Sequence, residues 1–163
     1  MNIDRSPTRV SSLVGGVAAA FSVSVIGVYS WAALGVGFLG LISLVVGLLA
    51  GKQSAITLGA SALFVGVLLA GIEGVPALVL LVATVGAVLA YDSATTARSL
   101  GEQVGRNAPT TRLELVRLSA TTLVGVGAVA FAYGGYALAA GGDSLTALVL
   151  LLLAAVLIAS ALR

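Results

Sequence analysis

The chain contains no cysteine and no histidine among its 163 residues. The absence of cysteine excludes disulfides and thiolate chemistry. The absence of histidine removes the commonest metal ligand and the usual general base near neutral pH. From this sequence we therefore expect no metal site, no cofactor and no enzymatic activity.

Charged residues are also scarce, at 9% of the chain, whereas 60% of the residues are hydrophobic. A soluble domain usually carries about a quarter charged residues. A chain with so little charge cannot cover a surface that faces water, so most of it must face lipid. The predicted fold class is all-α: a polytopic membrane protein with six transmembrane helices in a single bundle, plus a short amphipathic cytoplasmic helix.

The lengths of the uncharged runs set the number of spans. The first run, residues 10–51, has 42 residues. As one helix it would be about 63 Å long, twice the roughly 30 Å of a hydrocarbon core. It must therefore form two spans, and Tyr29, Ser30 and Trp31 lie at the reversal. Residues 1–163 are predicted to form one transmembrane domain. The predicted spans are 10–29, 32–50, 54–72, 75–91, 115–138 and 145–162.

Every cation falls on one side of this arrangement. The cations are Arg5, Arg9, Lys52, Arg98, Arg106, Arg112, Arg117 and Arg163. The connections on the other side carry only Glu73 and Asp143 as charges. Because cytoplasmic loops are rich in Lys and Arg, we expect a cell-membrane protein with both termini in the cytoplasm. Arg5 and Arg9 before an apolar run also resemble a secretory signal, but the run continues to Gly51, so we expect the first helix to be retained.

The one long polar segment is the predicted cytoplasmic loop, residues 92–111. Within it Arg98, Glu102 and Arg106 are spaced by four, so they can pair along one face of a helix. We therefore predict a surface helix over 93–106, with these three residues as the candidate site for docking a cytoplasmic partner. The alternatives are contact with anionic lipid headgroups and an ordinary cytoplasmic connection that binds nothing.

The fifth helix is predicted to begin near Arg112. Thr111 and Glu114 have the spacing of a capping box. In that motif the Thr hydroxyl bonds the Glu amide, and the Glu carboxylate returns the bond.

Small and hydroxylated residues within the spans each allow two interpretations. The 21 glycines, among them Gly47 and Gly51 at GxxxG spacing, favour close helix packing over a pore lining. Hydroxyls such as those of Ser22, Ser43 and Thr84 are expected to bond the backbone of their own helix one turn earlier; the alternative is a polar path through the bundle. No ionisable residue lies near the middle of a span, which argues against ion-coupled transport.

Three stretches carry a family resemblance. Residues 99–106, SLGEQVGR, and residues 110–116, TTRLELV, resemble a family of uncharacterised haloarchaeal integral membrane proteins, as does the opening IDRSPTR at residues 3–9. The genes of that family tend to lie near those of MoxR-type AAA ATPases and von Willebrand-type domain proteins. The resemblance therefore implies a membrane component of an assembly or quality-control system, with an AAA ATPase system as the cytoplasmic partner.

Two functions remain open from the sequence. The first is a non-enzymatic membrane scaffold that engages a cytoplasmic partner through residues 92–117. The second is a small channel or carrier for a neutral or apolar solute. A hydroxyl-lined crevice through the bundle would favour transport, and a solid apolar core would favour a scaffold. The lipid bilayer is the expected environment in both cases, and no nucleic-acid partner is expected.

Overall fold

The computed structural model describes residues 7–104 and 111–139 and contains five α-helices in these ranges. The helices are α1 (Arg9–Gly27), α2 (Trp31–Ala50), α3 (Gln53–Ile72), α4 (Ala77–Val104) and α5 (Thr111–Ala139). All five are long and apolar enough to cross a membrane. The all-α prediction is therefore confirmed. The predicted sixth span, 145–162, lies outside the described residues.

Local signals in the sequence set the ends of the first three helices. The side chain of Ser30 caps α2, because its hydroxyl oxygen accepts a hydrogen bond from the Ala33 N–H at 2.9 Å. Gly51 ends α2 with a φ of 64°, and Gly74 follows α3 with a φ of 82°. Both angles lie in the left-handed region that favours glycine. These caps keep the connections between α1, α2 and α3 to two or three residues.

The first four helices pack in a ring. Each helix packs against the next one along the chain, and α4 closes the ring against α1. The short connections make successive helices antiparallel. Small and aliphatic residues fill the space between them, in two clusters that include Leu44 and Leu63 in one and Ile26 and Ala33 in the other. Helix α5 lies outside the ring, mainly against α4.

Glycines bring the backbones of α2 and α3 into contact. A Cβ added to Gly59 would lie 2.5 Å from the Leu44 amide nitrogen and 2.7 Å from the Gly40 carbonyl oxygen. One added to Gly47 would lie 2.6 Å from the Ile56 amide nitrogen. The packing role predicted for the glycines holds at these positions. Gly51 has a different role from the predicted one, because it ends α2 rather than packing against a neighbour.

Helix α4 corrects the prediction for the polar segment. The prediction placed a span at 75–91 and a separate surface helix at 93–106. In the structure α4 is one continuous helix of 28 residues that runs through both. The helix over 93–104 is confirmed, but its separation from the span is wrong, and the predicted loop 92–111 is helical as far as Val104. The physical reason is packing, since the small residues of this segment are buried within the bundle. They are Ser93, Ala94, Thr96 and Ala97.

Candidate functional site at the cationic end of the bundle

The described cations gather at one end of the bundle, which we call the cationic end. Lys52 lies in the turn between α2 and α3, Arg98 lies in the last part of α4, and Arg112 and Arg117 lie in the first two turns of α5. Glu73 lies at the opposite end, directly after α3. Three groups of charged and polar side chains lie at the cationic end, and each group joins different helices.

The first group is built around the carboxylate of Glu114, which is only 2% exposed. Its Oε2 accepts hydrogen bonds from the Ser11 N–H at 2.8 Å, the Ser11 hydroxyl at 2.5 Å and the Thr8 hydroxyl at 3.1 Å. The Thr8 N–H in turn donates to the Ala97 carbonyl oxygen at 2.9 Å. This group therefore joins α1, α4 and α5.

The Glu114 carboxylate acts as a helix cap supplied by another helix. The first turn of α1 has amide groups without partners within the helix, and Thr8 makes no side-chain capping bond of its own. The carboxylate satisfies the Ser11 amide in that turn, where negative charge is favoured. The sequence predicted a role for Glu114 in its own helix, through a capping box. That box stays a prediction, because the side chain of Thr111 lies outside the described residues.

The second group joins α3 and α4 through Arg98. One terminal nitrogen of its guanidinium lies 2.7 Å from Glu102 Oε1. The other donates to Gln53 Oε1 at 3.0 Å. The predicted pairing of Arg98 with Glu102 is therefore confirmed, and the contact with Gln53 is new. Arg106, the third residue of the predicted docking site, lies outside the described residues.

The third group joins α4 and α5 through Asp92. Arg117 donates to Oδ1 of this carboxylate at 2.9 Å, and the Thr121 hydroxyl donates to Oδ2 at 3.2 Å. Arg117 is 57% exposed and Asp92 is 24% exposed. This ion pair is therefore more open to its surroundings than the Glu114 group.

Four hydroxyls within the helices show two kinds of bond to backbone carbonyl groups. Ser24 and Thr84 bond a carbonyl oxygen one turn earlier in their own helix, as predicted. Ser22 instead donates to the Ala83 carbonyl oxygen at 2.8 Å, and Ser43 donates to that of Ala55 at 3.0 Å. Both of these bonds cross between helices, so the prediction is wrong for Ser22 and Ser43.

The arrangement at the cationic end is suited to holding helices together. Ser11 and Glu114 are 1% and 2% exposed, so a substrate has no access to this hydroxyl and carboxylate in the observed conformation. Sequence reasoning missed Thr8 and Ser11 as partners of Glu114. The only local signal was an acid placed just before an apolar run, and that signal does not identify a partner more than a hundred residues away.

Comparison with known proteins gives one family. A model described as a family of unknown function, DUF7519, matches residues 5–159. No curated protein matches the chain. No solved structure matches it either.

Proposed function

The chain belongs to the DUF7519 family, whose function is unknown, and from that premise we propose that it is a non-enzymatic membrane scaffold whose cationic end engages a cytoplasmic protein. The single observation that carries the proposal is the length and continuity of α4. Its 28 residues make a helix of about 42 Å, and a hydrocarbon core takes up roughly 30 Å. About two turns of α4 therefore extend beyond the lipid.

The extended part of α4 carries the exposed residues that a partner would meet. Glu102 and Gln103 are exposed, and Arg98 is partly exposed beside them. The backbone bond between Thr8 and Ala97 holds this part of α4 against α1. A surface that is already ordered loses less conformational entropy on binding than a loop does. An ordered pair of opposite charges also gives a partner a defined orientation.

The distribution of charge supports the orientation in this proposal. The described cations lie at the cationic end, and cytoplasmic segments of membrane proteins are enriched in Lys and Arg. We place the cationic end in the cytoplasm and the protein in the cell membrane, with both termini on the cytoplasmic side. The partner that the haloarchaeal resemblance implies is an AAA ATPase system.

Reversing the ion pair tests this proposal. The double variant Arg98→Glu, Glu102→Arg keeps the net charge and the four-residue spacing of the pair, but exchanges its two signs. We expect co-purification of the partner from native membranes to fall at least about tenfold, because like charges then face each other across the interface. The amount of inserted protein should stay the same.

The matched control is Glu73→Gln, which changes an acid at the opposite end of the bundle and should leave co-purification unchanged. Attraction to anionic lipid depends on the number of cations near the surface, and the double variant preserves that number. Undiminished co-purification in the double variant would therefore contradict partner docking through this pair.

A small channel or carrier for a neutral or apolar solute is the second function. It has less support, because the residues between the described helices are mostly apolar and closely packed. Leu44, Ile56 and Leu63 have no exposed surface. Ser22 and Ser43 use their hydroxyls to bond backbone carbonyl groups of neighbouring helices.

A further inference from the structure

A groove runs between α3 and α4 on the outer surface of the bundle. Its volume is about 370 Å³, and it is lined by Thr57, Ala60, Ser61, Phe64, Val65 and Tyr91. Three of these six residues carry a hydroxyl. None of the three hydroxyls makes a hydrogen bond within the part of the chain that the structure describes.

Other described hydroxyls also lack a partner, such as those of Ser93 and Thr96, but this groove brings three of them together. Thr84 and Ser24, which also lie in apolar helices, each bond a carbonyl oxygen of their own helix. A hydroxyl in hydrocarbon without a partner costs free energy, so neighbouring polar groups are normally used. An acyl chain alone would leave Thr57, Ser61 and Tyr91 without partners. The groove therefore suits an occupant that brings oxygen atoms to it.

The groove lies just below the cationic end. Thr57 follows Lys52 by five residues and Tyr91 precedes Arg98 by seven, which places the hydroxyls about 7–10 Å along the helix axes from these cations. The hydrogen bond between Arg98 and Gln53 fixes this register of the two helices. Lys52 is exposed and forms no ion pair among the described residues.

We propose that this groove is a binding site for an anionic phospholipid. The phosphate lies at Lys52, the oxygens that join the chains to glycerol meet the three hydroxyls, and an acyl chain lies along Phe64 and Val65. Basic sites between transmembrane helices bind lipid headgroups in this way. The first-turn amides of α3, which have no side-chain cap, add donors close to the phosphate.

The groove between α1, α4 and α5 provides a contrast. It is larger, about 490 Å³, and Thr122 is the single hydroxylated residue among the described residues that line it. Such a groove can hold any apolar chain and does not distinguish one headgroup from another. Comparing the two grooves of this protein therefore distinguishes binding of an acyl chain from binding of a lipid headgroup.

Lipid retention by the full-length protein tests the proposal. The purified protein is exchanged into mixed vesicles of phosphatidylglycerol and phosphatidylcholine and is then extracted gently. Native mass spectrometry identifies and quantifies the lipids that remain bound. We expect the wild type to retain phosphatidylglycerol over phosphatidylcholine by about fivefold, the effect of one cation near a headgroup. Lys52→Gln should abolish the preference.

The double variant Thr57→Val, Ser61→Ala tests the hydroxyls separately. It keeps Lys52 and changes no buried side chain, so the fold should persist, but retention of both lipids should fall. Thr122→Val in the other groove is the matched control and should retain lipid like the wild type.

Three results would overturn the proposal. The first is equal retention of the two lipids by the wild type. The second is undiminished retention by the Thr57→Val, Ser61→Ala variant. The third is a lipid-free dimer that the same variant dissociates, which would assign the groove to a second copy of the chain.

Discussion

Different kinds of contact hold α3 to α2 and α5 to the rest of the bundle. Between α2 and α3, glycines let the two backbones touch, and a Cβ at Gly40 would lie 2.8 Å from the Gly59 carbonyl oxygen. On α5, Glu114 is the one buried side chain that the structure describes. The remainder of α5 meets the bundle through half-buried residues and the Asp92 ion pair.

For helices in a bilayer, as proposed above, this difference represents two ways to hold a helix where the hydrophobic effect is weak. Within a bilayer, apolar side chains gain little by leaving lipid for protein, so helices associate through close packing or through polar bonds. The α2–α3 contact extends along much of both helices, whereas the polar bonds of α5 are concentrated at one end. We therefore expect α2 and α3 to separate only when the bundle unfolds, and α5 to separate by itself.

The largest effect is expected from Gly59→Ala. The new Cβ would meet backbone atoms of Leu44 and Gly40 at 2.5–2.8 Å. Backbone cannot move aside as a flexible side chain can, so the helices must separate. The loss of stability should be about 3 kcal/mol, the upper part of the range for overpacking. Unfolding of the purified protein by SDS in mixed micelles, followed by circular dichroism, measures it.

Gly127→Ala is the control for that variant. A Cβ at Gly127 meets nothing within 4 Å, and alanine is the better helix former by up to about 1 kcal/mol. This variant should be as stable as the wild type or slightly more stable. Equal stability of the two variants would show that close packing does not hold α2 to α3.

A smaller and more local effect is expected from Glu114→Ala. It removes the acceptor of three hydrogen bonds from Thr8 and Ser11. Buried donors without an acceptor should cost about 2 kcal/mol. Amide hydrogen exchange should increase in the first turns of α1 and α5 and stay unchanged in α2 and α3.

Two further variants sharpen the Glu114 result. Glu114→Gln keeps a carbonyl oxygen that can accept some of these bonds, so its effect should be smaller. Glu102→Ala removes an exposed acid from α4 and should leave exchange in α1 and α5 unchanged. An equal increase of exchange in α2 and α3 after Glu114→Ala would contradict the independence of α5.

The smallest effect is expected at the ion pair of Asp92 and Arg117. Because Arg117 is 57% exposed, the pair should contribute no more than about 1 kcal/mol. A double-mutant cycle with Arg117→Ala and Asp92→Asn measures this contribution, and added salt should reduce it. A coupling above about 2 kcal/mol would mean that the pair, rather than Glu114, is the main attachment of α5.

The sequence predicts the first three helices closely because local residues set their ends. The predicted spans 10–29, 32–50 and 54–72 differ by at most two residues from α1, α2 and α3. Ser30 directly precedes α2 and Gly51 directly follows it, so each residue lies beside the helix end that it determines. Capping signals of this short range can be recognised from the sequence alone.

The error at α4 has a long-range cause. The four-residue spacing of Arg98, Glu102 and Arg106 predicts a surface helix after Tyr91. The side chains of Ser93 and Thr96 instead lie buried in the bundle, with no hydrogen-bond partner for either hydroxyl among the described residues. Only the fold shows that α1 covers them.

The candidate site also contains one short-range contact that was predicted and one long-range contact that was not. The pairing of Arg98 with Glu102 follows from a four-residue spacing and was predicted. The bonds of Glu114 to Ser11 join positions that are 103 residues apart, and no pattern in a single sequence links them. The proposed docking role of Arg98, Glu102 and Arg106 stays a prediction.

The separation of Ser11 and Glu114 in the sequence also determines when the bonds between them can form during translation. A ribosome adds about 5–20 residues per second, so the 103 residues added after Ser11, up to and including Glu114, take roughly 5 to 20 s to translate. Throughout that interval α1 exists without the carboxylate that caps its first turn. In the proposed membrane setting, water at the bilayer surface takes the place of that carboxylate until the start of α5 is made. The cationic end can therefore be completed only late in translation, after the residues of the α2–α3 hairpin have been synthesised.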